Sequence, residues 1–103
     1  MALYLCDVSA VLPDQPLCLD LPSGRPVAVF SAQGMIFVTD DTCTHGDASL
    51  AEGLVDGFEI ECPYHLGRFD LRTGAATAAP CIAALRTYPV TIRDGGVYIE
   101  DSA

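Results

Sequence analysis

The chain has two histidines, and each follows closely on a cysteine. The first pair is Cys43-Thr44-His45; sixteen residues later comes the second, Cys62-Pro63-Tyr64-His65. Two loops that each offer one soft thiolate and one imidazole can build either of two centres. A single zinc ion would take all four groups in a tetrahedral Cys2His2 site. A two-iron cluster would take two cysteines on one iron and two histidines on the other. Either centre uses both histidines, which leaves none for a separate base or for a catalytic iron held by two histidines and a carboxylate.

The rest of the composition narrows the setting. A chain of 103 residues, half of them hydrophobic, is one small domain near the size at which a core benefits from a metal or disulfide staple. Fourteen acidic side chains oppose five arginines, with no lysine, for a net charge of −9. Such a surface has no electrostatic footprint for nucleic acid or anionic lipid and suits a protein partner with a basic patch. The start, Met1 to Asp7, shows no basic region or long apolar run, and the uncharged stretch Pro26 to Thr39 is too short to span a bilayer. The expectation is a cytoplasmic chain with no membrane segment. There, five cysteines among reduced thiols point to metal rather than disulfides.

The elements that must position the two pairs read as β structure. Leu3–Cys6, Pro16–Leu21, Pro26–Ser31, Met35–Asp40, Arg86–Arg93 and Val97–Glu100 show alternation or β-branched and aromatic content. Asp94-Gly95-Gly96 marks a hairpin between the last two. Asp41 to Pro80 is different: rich in glycine, threonine and aspartate, with brief strand-like pieces at Phe58–Cys62 and Arg68–Leu71 and one helical turn expected over Ala48–Glu52. No dinucleotide-binding glycine loop follows a strand.

Taken together, C-x-H-x16-C-x2-H set between β segments resembles the Rieske [2Fe–2S] family. The stretches Cys43-Thr44-His45-Gly46-Asp47 and Glu61-Cys62-Pro63-Tyr64-His65-Leu66-Gly67-Arg68-Phe69-Asp70 are most similar to the small ferredoxins of bacterial aromatic-ring-hydroxylating dioxygenases. Thr73-Gly74 and Pro80, where the family carries a proline-bearing loop over the cluster, extend the likeness along the chain.

The resemblance implies an all-β fold: a Rieske-like antiparallel β-sandwich base over about 1–40 and 81–103, with a small cluster-binding subdomain of two loops inserted at about 41–80. The whole of 1–103 is then one Rieske domain. It implies one [2Fe–2S] cluster with Cys43 and Cys62 as thiolates on the buried iron, and His45 and His65 on the outer iron. By the same resemblance the chain is not itself an enzyme. It is a one-electron carrier that takes electrons from a flavin-containing NAD(P)H-dependent reductase and gives them to a terminal oxygenase; a shuttle presenting two histidines to successive partners is expected to be monomeric. A nitrite-reductase-type electron-transfer subunit and a structural Cys2His2 zinc module are the alternatives.

Departures from other branches of the family set an expected potential. Where the cytochrome bc complexes carry a disulfide between the cluster loops, this chain has Ala48 and Tyr64; where they carry hydroxyl donors, it has Gly67 and Phe69. Fewer donors near the cluster disfavour its reduced form, which places the potential near the low end of the Rieske range, around −150 mV. Gly46 and Gly67 either let the backbone approach the cluster or are ordinary turn glycines.

Other residues have plainer expected roles. Cys6, Cys18 and Cys81 read as small buried hydrophobes, and Leu54, Val55, Phe58 and Ile60 as packing beneath the loops. Tyr64 and Leu66 either shield His65 or touch a partner. Asp40, Asp41, Asp47, Glu52, Asp56, Glu59 and Glu61 form a candidate docking field, in which Arg68 and Arg72 are internal ion-pair partners.

Overall fold

The computed structural model describes residues 2–13, 15–44, 46, 48–64, 66–79 and 83–100. The described residues form eleven strands: β1 (Ala2–Asp7), β2 (Leu17–Asp20), β3 (Pro26–Ala32), β4 (Met35–Asp40), β5 (Leu54–Asp56), β6 (Glu59–Glu61), β7 (Arg68–Asp70), β8 (Ala76–Ala78), β9 (Thr87–Tyr88), β10 (Val90–Arg93) and β11 (Gly96–Glu100). All pair antiparallel, in three sheets ordered β1-β11-β10, β2-β3-β4-β9 and β5-β6-β7-β8. The all-β, antiparallel class expected from the sequence is the class observed.

Strand β3 explains how three sheets share one small chain. Alternate side chains of a strand point to opposite faces. On β3, Val27 and Val29 join Val11, Leu21, Val38, Tyr88, Val97 and Ile99 in the core of the base. Ala28, Phe30 and Ala32 join Cys43, Ala48, Leu50, Ile60, Cys62, Phe69, Leu71 and Leu85 in a second core under the inserted segment. A strand buried on both faces is expected to read as a continuous apolar run, as Val27-Ala28-Val29-Phe30 does. It is the partition between the two cores.

Two expectations for the strands need refinement. Arg86–Arg93 is not one strand: it breaks at Pro89, with β9 pairing to β4 and β10 to β11. Proline lacks the N–H that would continue a ladder, so the chain changes sheets there. The inserted segment is also more than loops, since β5 and β8, too short to show a period, complete a sheet of its own. The β10–β11 hairpin turns on Asp94 (φ 51°) and Gly95 (φ 76°), as Asp-Gly chemistry requires. The expected helical turn is a short 3-10 turn at Leu50–Glu52. Among the described residues, no helix is long and apolar enough to cross a membrane.

Candidate metal centre

Cys43 and Cys62 head two loops built on the same plan. The Cys43 N–H donates to the Ala48 carbonyl (3.0 Å), and the Cys62 N–H donates to the Gly67 carbonyl (2.7 Å), each five residues on. Inside each outer bond lies one that closes a smaller turn. The Cys43 carbonyl accepts from Gly46 N–H (3.2 Å) and the Cys62 carbonyl from Leu66 N–H (3.2 Å). Gly46 and Leu66 are the residues that directly follow His45 and His65. The extra residue in Cys-x2-His, against Cys-x-His, is taken up by widening this inner turn from three residues to four. His45 and His65 themselves lie outside the described residues, as do Asp47, Pro80 and Cys81.

Different supports hold the two loops. At the first, Thr42 and Ser49 form an antiparallel bridge. Buried Asp41 accepts twice from the 3-10 turn beyond, at its carbonyl from Leu50 N–H (2.7 Å) and at Oδ1 from Ala51 N–H (3.0 Å). The Ser49 side chain does not cap that turn, so Asp41 satisfies an N–H that would otherwise be left open. The second loop continues the β6–β7 ladder, where Glu61 pairs with Arg68 directly outside Cys62 and Gly67. Thr44 Oγ1 donates to the Ala83 carbonyl (2.9 Å) and ties the first loop to the segment after residue 82.

Two glycines have roles that sequence reasoning missed. A Cβ on Gly53 would strike the Glu61 carbonyl, so only glycine lets the exit of the first loop pass the strand that leads to Cys62. Gly74 (φ +80°) donates to the Asp70 carbonyl and accepts from Leu85 N–H, both at 2.7 Å, and a Cβ there would strike the Leu85 carbonyl. No local pattern marks such approaches, because the opposing backbone is distant in sequence. Gly67, singled out from the sequence, is buried and serves through its carbonyl.

The two described donors, Cys43 and Cys62, fit a metal cluster. Cys43 (2% exposed) and Cys62 (0%) share one core with Ala48, Leu50, Ile60, Phe69 and Leu71. A thiolate among aliphatic groups is costly unless a metal takes its charge. Phe69 is fully buried and, like Gly67, offers no hydroxyl.

Several expected roles are corrected here. Cys18 is exposed on edge strand β2, not buried; Cys6 is half-buried. Partial burial, and then the nearby Asp41 carboxylate, push the Cys18 thiol up to about 11. Leu54 is 60% exposed, whereas Ile60 is fully buried and Val55 packs at the core margin. Phe58 meets Phe37 edge-on and lies under the Arg72 guanidinium. The acidic docking field shrinks: Asp41 is buried, and Asp40 is bound by Arg25 Nη1 (3.3 Å) and Tyr88 Oη (2.6 Å). Arg68 engages Asp56, Glu59 and Glu61, and Arg72 engages Asp70, as internal partners. Tyr64 and Leu66, on either side of His65, are 69% and 64% exposed.

This all-β domain has counterparts among known proteins. The model of the Rieske [2Fe-2S] domain matches residues 2–89. The chain is 46% identical over 100 residues to the ferredoxin component of the p-cumate 2,3-dioxygenase system of Pseudomonas putida, covering 96% of this chain and 85% of that protein. It superposes on the Sphingomonas yanoikuyae B1 ferredoxin with a TM-score of 0.94 at 46% identity, over 98% of this chain and 99% of that one. A complex of reduced oxygenase and oxidised ferredoxin in carbazole 1,9a-dioxygenase matches with a TM-score of 0.89 at 38% identity, over 95% and 100%. The protein therefore belongs to the Rieske [2Fe–2S] family. Within it, it is an electron carrier of the ferredoxin type with a Rieske-type cluster, and not itself a catalyst.

Proposed function

We propose that Cys43 and Cys62 hold one iron of the cluster and His45 and His65 the other. On this reading the chain carries single electrons from a flavin-containing NAD(P)H-dependent reductase to a terminal aromatic-ring-hydroxylating dioxygenase. The observation that carries the ligand assignment is the shared plan of the two loops. In each, a buried cysteine is bonded through its N–H to a carbonyl five residues on, and the residue after the histidine donates to that cysteine's own carbonyl. When bound, the cluster supplies a one-electron couple, raised by neutral imidazoles above an all-thiolate site. The chain's part is to hold the loops in register and keep the cysteines dry.

The partners follow from likeness to ferredoxin components of dioxygenase systems. Tyr64 and Leu66, the sequence neighbours of His65, offer exposed apolar surface, and Glu52 and Asp56 are exposed acids of the same segment. That combination suits brief, salt-sensitive docking by a monomeric cytoplasmic shuttle. A single Rieske domain over 1–103, with base 1–40 and 81–103 and cluster subdomain 41–80, accords with β3 dividing two cores. The absence of hydroxyls at Gly67 and Phe69 supports a potential around −150 mV.

The test is reconstitution. His45→Ala and His65→Ala should each abolish the visible Rieske spectrum and electron delivery from a flavin reductase to a ring-hydroxylating oxygenase. Normal spectrum and normal delivery in either variant would overturn the assignment. A midpoint potential above zero would refute the tuning argument, and delivery rates indifferent to ionic strength would refute electrostatic docking.

A further inference from the structure

Arg68 is the one arginine between Arg25 and Arg72, in a chain without lysine. From β7 it reaches across β6 to the edge strand β5. Nη1 donates to Asp56 (2.9 Å) and Glu59 (3.3 Å), and Nη2 to Glu61 (3.1 Å). Three carboxylates thus share one guanidinium on the outer face of the sheet, while Ile60 and Phe69 turn inward to the core that holds Cys43 and Cys62. Glu59 also stands directly opposite Asp70 in the ladder, a like-charge pair relieved because Arg72 grips Asp70 (2.9 and 3.1 Å).

The position of this cluster of charges matters more than its contribution to stability. Exposed ion pairs contribute little singly, but Glu61 is only 21% exposed and directly precedes Cys62. Arg68 directly follows Gly67, whose carbonyl holds the Cys62 N–H. The Glu61–Arg68 pair is therefore the last rung before the second ligand loop. Without the guanidinium, three mutually repelling carboxylates would face one another at its neck. Adding an electron to a nearby centre is harder in a more negative field, and salt weakens that effect.

We infer that Arg68 is a positioning residue for the redox centre: it closes the neck of the second ligand loop and cancels the carboxylate field that would otherwise depress the potential. This rests on the ligand assignment proposed above for Cys62 and His65.

The test uses purified cluster-loaded Arg68→Gln, Arg68→Lys and the double variant Glu61→Gln/Arg68→Gln. Loading is read from the visible spectrum, and midpoint potential from redox titration at low and high salt. The potential of Arg68→Gln should fall below wild type at low salt and approach it at high salt. Arg68→Lys, which keeps charge but loses the fork, should fall less. The double variant should recover towards wild type. A fully loaded Arg68→Gln at the wild-type potential would overturn the inference, and so would a fall that Glu61→Gln does not reverse. Should Arg68→Gln fail to load, restored loading in the double variant supports the inference, and continued failure overturns it. An error in the ligand assignment would show separately, as an intact spectrum after replacement of Cys62 or His65.

Discussion

The two cysteine-headed loops share a hydrogen-bond plan but are secured by opposite kinds of chemistry. The first is anchored inside the protein by buried Asp41, whose carboxylate accepts Ala51 N–H and whose backbone carbonyl accepts Leu50 N–H. The second is anchored at the surface, by a guanidinium shared among three carboxylates. A buried acceptor is costly to remove, because its donors are left without water, whereas exposed charges fall back on solvent. The same geometry can therefore be rigid and salt-indifferent in one loop and adjustable in the other. The adjustable loop also bears the exposed apolar pair Tyr64 and Leu66.

The comparison can be broken outright at the cysteines. Cys43→Ala and Cys62→Ala should each remove the iron–sulfide absorbance completely, since the loops contribute equally to the proposed site. Unequal loss would show that the shared plan does not mean a shared role.

The next largest difference lies in the anchors. Asp41→Ala should cost about 1–3 kcal/mol in chemical unfolding, equally at low and high salt, because Ala51 N–H loses a buried partner. Asp56→Ala should stay within about 0.5 kcal/mol and lose even that in high salt. Equal costs would erase the distinction between the loops.

Leu66 sharpens it further. The residue has φ 59°, a left-handed conformation that a leucine adopts at a cost, and it buries little. Leu66→Gly should raise unfolding stability by up to about 1 kcal/mol. The same change should slow electron delivery to the oxygenase, by removing half of the exposed apolar pair. A gain in stability with unchanged delivery would mean that the strained leucine has no part in docking.

The smallest effect is chemical. Cys18 is exposed, yet its thiol is pushed up to about 11, first by partial burial and then by Asp41. The neutral thiol is the form favoured by folding, so this contribution is present below the ordinary thiol range near 9 and is lost as pH rises through about 11. Alkylation of Cys18 by iodoacetamide, followed by peptide mapping, should be slow at pH 8 and rise steeply above pH 10. In Asp41→Asn the rise should move to lower pH.

Much of this was legible from residues alone, where the property is local. Strands β3 and β4, the Asp94-Gly95 hairpin and the pieces around β6 and β7 announce themselves by alternation, β-branched content and turn chemistry. Strands β5 and β8 did not, since three residues cannot show a period. Cys18 is exposed rather than buried: an apolar neighbourhood in sequence does not say whether a strand lies at an edge. The same holds for Leu54, which is exposed on the edge strand β5. Grouping seven acids by proximity in sequence concealed that Asp41 turns inward and that Asp56, Glu59 and Glu61 share one arginine.

By itself, the sequence determined the donor types, their spacing and the β character of the chain, because ligand chemistry and side-chain alternation are written into neighbouring residues. The tertiary structure alone decided that β3 serves two cores, that Cys43 and Cys62 share one of them, and that Gly53 and Gly74 must lack side chains. It alone decided which carboxylates are anchors and which remain exposed. Those properties depend on which distant backbone comes to lie opposite, and no spacing within a single stretch of chain encodes that.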